Sequence, residues 1–350
     1  MRLIPIEKVQ PGMILGKTLY REEDGKVLLV KGTVLKVKYI EKMKSLGYLY
    51  LYIRDPFAPE DDEMIQPIKD ETKLKAIQIL KSTVKQVEQK QEVNIKRIRD
   101  VVIEVVDQIL TDQRVMYGLL EMNRHDNYTY THSVNVTILS LLIGTHIGTS
   151  RADLEILGVG AMMHDIGKTL IDPHILNKPS RLNHDEFEVM KEHSRKGFEI
   201  LKDKLSSFIP AHIALQHHER EDGSGYPRGI SGNGIHRFSK IVAVADVFDA
   251  MTSNRIYQSA RPPFEAIREI EADTDQKFDR RTVAALAKVV APFPVGSVLL
   301  FQNGSQGVVT FVSRLKCLVD FLDGPSKGRS IDLYQDDDYQ VTKVLGPLNM

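Results

Sequence analysis

The chain is nearly without cysteine. Cys317 stands alone, which excludes an internal disulfide framework and any thiolate metal cluster. A metal site in this protein would have to be built from histidine and carboxylate. There is also no surplus of either charge, since 47 Lys and Arg balance 47 Asp and Glu, so no global basic field argues for nucleic acid as a partner. Long apolar runs are missing as well. The longest near a helix, Val136 to Ile147, is interrupted by Ser140, Gly144, Thr145 and His146, which leaves it too short and too polar to span a bilayer. Met1 through Lys8 lacks the apolar stretch of a signal peptide. The expectation is a cytoplasmic protein with no membrane span.

What is present suits a globular chain. Apolar residues make up 42% and charged residues 27%, enough of each for a core and a solvated surface. A length of 350 residues exceeds the usual single domain and predicts two or three. Residues 1–55 read as a small β-rich unit, with a turn at Pro11-Gly12, a hairpin signal at Asp24-Gly25, a short helix over Val37 to Leu46 and a last strand from Tyr48 to Ile53. No side chain there suggests chemistry, so the unit suits scaffolding or regulation. Residues 56–111 begin as a linker with three prolines and the acidic run Glu60-Asp61-Asp62-Glu63. They continue as helix, with Ile77, Leu80, Val84 and Val87 on one stripe and Ile95, Ile98, Val102, Val105 and Ile109 on another. The phase slips across the polar stretch 86–94, which predicts either two helices or one with a stutter. Such a helix packs on its own domain or serves as the seam of a homodimer over residues 65–110.

Residues 112–291 are patterned almost wholly for helix and form the expected core domain, with nine or more helices. Residues 292–350 turn back to strands at Ser297–Phe301, Gly307–Ser313 and Cys317–Phe321, separated by Asn303-Gly304 and by Arg314-Leu315-Lys316. The fold class is therefore mainly α, with small β-rich units at both ends.

The residues that can carry chemistry lie in the helical core. Ala161 to Lys168 starts as an apolar helix and then presents His164, Asp165 and Lys168. Neighbours on a helix point about 100° apart, so His164 and Asp165 can share only a centre that sits over the edge between them. Imidazole with carboxylate is a ligand pair for Fe, Mn, Ni, Co or Zn. Lys168, four residues after His164, would share its face and meet an anion held by the metal. The same residues also suit a plain polar exit from a buried helix. His132, His193 and the pair His217-His218 stand in similar helical contexts, and Asp246 interrupts the apolar run Ile241 to Phe248. A lone carboxylate in such a run is costly to bury unless paired or bound to a cation. Taken singly, each histidine is more often a core or capping residue than a ligand, and His125, His174, His184, His212 and His236 are read that way. Together the remaining residues could supply two metals.

His164-Asp165 is similar to the signature of the HD phosphohydrolase superfamily. His217-His218-Glu219-Arg220, followed by Asp222-Gly223-Ser224-Gly225-Tyr226-Pro227, resembles the extended signature of its HD-GYP branch. Ala245 to Ser253 and Arg255-Ile256-Tyr257 match that branch too, and the resemblance covers roughly residues 120–290. It implies an all-helical domain that hydrolyses cyclic di-GMP in bacterial second-messenger signalling, to pGpG and onward to GMP. It also implies two divalent ions, Fe or Mn first, then Ni, Co or Zn. His132, His164, Asp165 and Asp246 would hold one, His193, His217 and His218 the second, with Asp165 bridging. A third metal in some members needs a Glu where this chain has Tyr128, so the expected centre is binuclear. Lys168 and Arg255 match phosphate-contacting positions, and Asp165 and Lys168 are the implied catalytic residues. Members commonly carry a Lys where this chain has Gln258. Gly225 and Tyr226 would shape the substrate groove or meet a signalling protein of the GGDEF type. Alternatives from the same residues are a silent cyclic-dinucleotide receptor and a hydrolase of another cyclic dinucleotide.

Overall fold

The structure is a computed structural model describing residues 2–21, 26–46, 48, 50–54, 67–91, 93–111, 128–204, 206–253, 261–293, 295–313, 316–336 and 338–347. The amino-terminal unit runs β1 (Arg2–Pro5), β2 (Leu19–Tyr20), β3 (Val27–Leu29), α1 (Val37–Ser45) and β4 (Tyr50–Ile53). β1 pairs antiparallel with β4, and β2 with β3. Leu15, Leu35 and Leu51 form the centre of a core that belongs to this unit alone. The Asp24-Gly25 turn and the acidic segment 55–66 lie outside the described residues.

The phase slip between residues 86 and 94 is a true break. α2 (Asp70–Glu88) ends there, Lys90 takes a left-handed φ of 53°, and α3 (Ile95–Thr111) starts a new helix. Glu104 on α3 accepts from Thr72 at 2.8 Å and Lys75 at 2.6 Å on α2, tying the two together. The stripe Ile98, Val102, Val105 and Ile109 is buried against the chain's own helices. Among the described residues, none of the exposed large apolar side chains lies in α2 or α3. The same apolar cluster runs from Ile68 to Val290. Among the described residues, the core thus includes α2 and α3.

At the middle of the core lies α4 (Tyr128–His146), flanked by α5 (Arg151–Met163), α10 (Arg237–Thr252) and α12 (Arg280–Val289). Its apolar residues are not confined to one face, so the helix has to be surrounded, and Val134, Val136, Leu139 and Ile143 show no exposure at all. Between α5 and α10 the chain forms the short α6 (Pro173–Leu176), then α7 (His184–Lys191), α8 (His193–Leu201) and α9 (Ile209–Gln216). α7 is started by a capping box between Asn183 and Glu186. α11 (Pro263–Ala272) precedes α12. No described helix is long and apolar enough to cross a membrane.

The carboxy-terminal segment forms β5 (Ser297–Phe301), β6 (Gln306–Val312), β7 (Cys317–Phe321), β8 (Ser330–Asp332) and β9 (Val341–Pro347) in one antiparallel sheet of order β8-β7-β6-β5-β9. The three strands expected from β-branched runs are present. β8 and β9 are additions: one is very short, the other carries no alternating pattern. Along β7, Cys317, Val319 and Phe321 point inward and their neighbours outward. Burial, and then Asp332, push the Cys317 thiol up to about 12, so it stays protonated and shielded at neutral pH. Iodoacetamide at pH 8 should therefore leave Cys317 unlabelled in the native protein and label it only as the sheet opens in denaturant. Rapid native labelling would show that β7 does not face inward.

Candidate metal centre

Five helix ends or faces point at one place. His132 lies in the second turn of α4, and Asp246 in the middle of α10. His164 caps the end of α5, His193 opens α8, and His217-His218 follows the end of α9. The helix carrying His164 does not continue, as the sequence reading assumed. α5 stops at Met163, Asp165 precedes a short 3₁₀ helix (Ile166–Leu170), and Lys168 meets Asp165 rather than His164. Side chains three apart are eclipsed in a 3₁₀ turn, and Lys168 Nζ stands 2.6 Å from Asp165 Oδ2. Gly167 makes this turn compatible with α8. A Cβ there would fall 1.9 Å from the carbonyl oxygen of His193, so any side chain would force the two segments apart.

Asp165 is the hub. Its Oδ1 faces His193 Nε2 at 3.5 Å and His217 Nε2 at 3.7 Å, while its Oδ2 faces His164 Nε2 at 3.4 Å and His132 Nε2 at 3.9 Å. His193, His217 and His218 gather with it on one side, His132 and His164 on the other. Asp246 completes the second side, with Oδ1 3.0 Å from His132 Nε2, and its Oδ2 reaches within 3.9 Å of His218 Nδ1. The structure thus brings together all seven residues expected as ligands.

Hydrogen bonds to the outer ring nitrogens fix which nitrogen faces inward. A carbonyl oxygen can only accept, so Nδ1 of His164 donates to Ala161 at 2.7 Å, that of His193 to Met190 at 2.7 Å and that of His217 to Ala214 at 2.9 Å. In the neutral ring each Nε2 then carries a lone pair and no proton. His193 Nε2 and His217 Nε2 nevertheless face each other at 3.4 Å. Two lone pairs beside a carboxylate oxygen repel unless a cation joins them. His164 Nε2 and Asp165 Oδ1 are buried without a hydrogen-bond partner, which a native interior tolerates only where something else satisfies them. The donor set therefore fits a metal centre, and nitrogen with carboxylate oxygen is the set that suits Fe, Mn, Ni, Co or Zn.

Electrostatics agree. Burial lowers the pKa of His193 to about 3, and burial likewise keeps His217 low and His218 well below its ordinary value. All three are neutral at neutral pH, the state in which an imidazole can bind a metal. Burial also opposes charge on Asp165, but Lys168 and then His164 outweigh it and hold the carboxyl well below the usual carboxylate range. His132 differs. Burial acts to lower it, yet Asp246 and Asp249 on its two sides push it up to about 9.

Asp249 is the residue the sequence reading passed over. It is fully buried, accepts from His132 Nδ1 at 2.7 Å and from Asn135 Nδ2 at 3.0 Å, and so orients His132 as carboxylates orient metal-binding imidazoles elsewhere. The available signal was spacing, since Asp249 is one turn after Asp246 in the same apolar run. Glu219 was also left without a role. Buried to 2% exposure, it accepts from the backbone N–H of Arg228 at 2.9 Å and Ile230 at 3.2 Å, closing the Gly-Ser-Gly-Tyr-Pro loop on itself. Gly225 lies against the backbone, where a Cβ would meet His218 O at 2.4 Å. It thus seats the loop by close approach. The Tyr226 ring stacks on His218 at 4.6 Å. His236 caps α10 through Nδ1, and His212 packs on Phe198, both outside the cluster. Arg255, Gln258 and His125 lie outside the described residues, as does the side chain of Tyr128.

An all-helical core that gathers five histidines and two aspartates on one buried point has the make-up of a metal-dependent hydrolase. Residues 108–282, half of the 350-residue chain, match the HD domain family, and the chain belongs to it. A cyclic di-GMP phosphodiesterase of Pseudomonas aeruginosa is 34% identical over 211 residues, 60% of this chain and 51% of that protein. One of Thermotoga maritima is 43% identical over 166 residues, 47% of this chain and 45% of that one. The 3'3'-cGAMP-specific phosphodiesterase 3 of Vibrio cholerae is 37% identical over 168 residues, 48% of this chain and 36% of that one. The chain thus spans about half or less of the length of these curated relatives. Among solved structures, the HDG"Y"P protein Bd1817 of Bdellovibrio bacteriovorus shares the fold, with a TM-score of 0.54, 16% identity, and coverage of 81% of this chain and 97% of that one. The HD and HD-GYP resemblance seen in the residues is borne out.

Two substitutions probe the geometry. Gly167→Ala should cost about 1–3 kcal/mol through overpacking, read as a lower Tm, and should reduce metal bound per chain because Asp165 and His193 are pushed apart. Asp249→Ala should weaken metal binding by about 10- to 100-fold in a competitive chelator titration, with the fold retained by circular dichroism. Unchanged affinity would show that His132 needs no such anchor.

Proposed function

We propose that this chain hydrolyses a phosphodiester bond of a cyclic dinucleotide, with cyclic di-GMP as substrate, linear pGpG as first product and GMP as the product of a second cut. The observation that carries the reading is the convergence of His193 Nε2 and His217 Nε2 on Asp165 Oδ1, three electron-rich atoms that a cation would reconcile. His132, His164 and Asp246 would hold one divalent ion with Asp165 Oδ2, and His193, His217 and His218 a second with Asp165 Oδ1. Fe or Mn comes first, with Ni, Co or Zn also suited. Metal ions bound there supply Lewis acidity and a water of lowered pKa.

The chain's own residues do the remainder. Asp165 keeps the two ligand groups in register, and the carbonyls of Ala161, Met190 and Ala214 stop the imidazoles from turning. Lys168, at the solvent edge of the site with 27% of its side chain exposed, offers an ammonium to the phosphoryl oxygens where negative charge builds. Arg255 would offer a second cation. Tyr226 walls the site above His218. Relatives that act on cyclic di-GMP and others that act on 3'3'-cGAMP support the substrate class, and 3'3'-cGAMP is the second reading.

The test is product analysis with cyclic di-GMP and with 3'3'-cGAMP, on protein reconstituted anaerobically with Fe or Mn, beside Asp165→Ala. The expected result is pGpG from cyclic di-GMP with the native chain and none with the variant. Faster turnover of 3'3'-cGAMP would select the second reading. Tight binding of cyclic di-GMP without turnover, with metal content confirmed, would make the protein a receptor instead.

A further inference from the structure

α7 contributes nothing to the core, since none of its residues is buried. It nonetheless carries a phenylalanine, and that side chain is 43% exposed. Phe187 stands beside the metal centre. Its ring lies 6.2 Å from that of Tyr226 at an interplanar angle of 80°, and Tyr226 stacks in turn on His218 at 29°. The rings therefore step outward from a metal ligand to solvent, and the last two make an aromatic corner. Lys191, four residues after Phe187 and on the same helix face, places its ammonium 5.0 Å from the Phe187 ring and 5.6 Å from Tyr226. Its partner is Glu188 at 2.6 Å, an exposed carboxylate, and exposed pairs of this kind hold weakly enough to yield to a better anion. The loop side of the corner is steadied by Arg195, which donates to the Pro227 carbonyl at 3.2 Å.

A flat apolar face with a cation above it recognises an aromatic group that carries negative charge. A nucleotide is such a group: every base has a π-face that stacks on an aromatic side chain, and its phosphate suits an ammonium. A cyclic dinucleotide has two bases and two phosphates, of which the metal centre engages one phosphate at a time. The other half of the substrate needs a place to rest within reach of His218.

We propose that Phe187 and Lys191 form the subsite for the half of the cyclic dinucleotide that is not being cut, Phe187 stacking its base in the corner with Tyr226 and Lys191 meeting its phosphate. This rests on the phosphodiesterase reading and extends it to specificity. Phe187 touches substrate and no metal ligand, so it acts on binding and leaves the chemical step alone.

The experiment compares two substrates on the metal-reconstituted full chain: cyclic di-GMP, and methyl p-nitrophenyl phosphate, a diester with no nucleobase that cannot reach α7. Phe187→Ala should raise KM for cyclic di-GMP about tenfold, the loss of one stacked base, with kcat and metal content unchanged. Hydrolysis of the small diester should not change, and Phe187→Tyr should restore KM. Lys191→Gln should also raise KM for cyclic di-GMP and flatten its dependence on ionic strength. An unchanged KM in Phe187→Ala, while the native chain hydrolyses cyclic di-GMP, would overturn the subsite and leave the enzyme reading intact. Equal losses on both substrates would overturn it too, by placing Phe187 in support of the metal centre. A native chain that cleaves the small diester and no cyclic dinucleotide would remove the substrate reading and the subsite with it.

Discussion

Two imidazole nitrogens with no proton to exchange face each other across a buried carboxylate oxygen, and the rest of the helical domain exists to keep them there. Left to itself the arrangement is repulsive. It persists because the outer nitrogens of His164, His193 and His217 are each tied to a backbone carbonyl three residues earlier. The rings are thus fixed by the helix ends that carry them, without recruiting separate side chains. His132, sited within α4, instead has a carboxylate brought from elsewhere, and Asp249 supplies it. The surrounded α4, the 3₁₀ turn at Ile166–Leu170 and the glycine at 167 serve the same end, bringing segments distant in sequence to within 3.9 Å of Asp165.

The ligands were legible because each breaks a pattern. A lone Asp246 in an apolar run or a His217-His218 pair at the end of a helix is conspicuous in one dimension. The three inner strands of the carboxy-terminal sheet were legible for another reason, since each is a run rich in β-branched residues bounded by turn signals. What escaped was whatever depends on the third dimension. Asp249 serves His132 across more than a hundred positions of sequence, and its spacing from Asp246 does not say which side chain it meets. Glu219 bonds the far side of its own loop. The face that Lys168 occupies differs from the α-helical expectation because the chain changes helix type at Asp165, a switch with no strong residue signal. The stripes of α2 and α3 left packing on their own domain and a dimer seam both open, because an apolar stripe states that it will be covered and not by what.

The centre and its rim are built on different principles. Inside, backbone and buried carboxylates over-determine each ligand, and small changes in volume are felt at once. Outside, Phe187 and Lys191 sit on the exposed α7, where Lys191 is held by a surface pair with Glu188. That helix face lies apart from the buried cluster, whereas Lys168 is tied to its hub, Asp165.

The hairpin of α2 and α3 has one more consequence. The amino-terminal unit touches the first turn of α2 through Lys17 to Asp70 and Tyr20 to Glu71, α2 lies on α3, α3 lies on α5, and α5 ends at His164. The small β unit and His164 therefore stand at the two ends of one continuous series of packed elements.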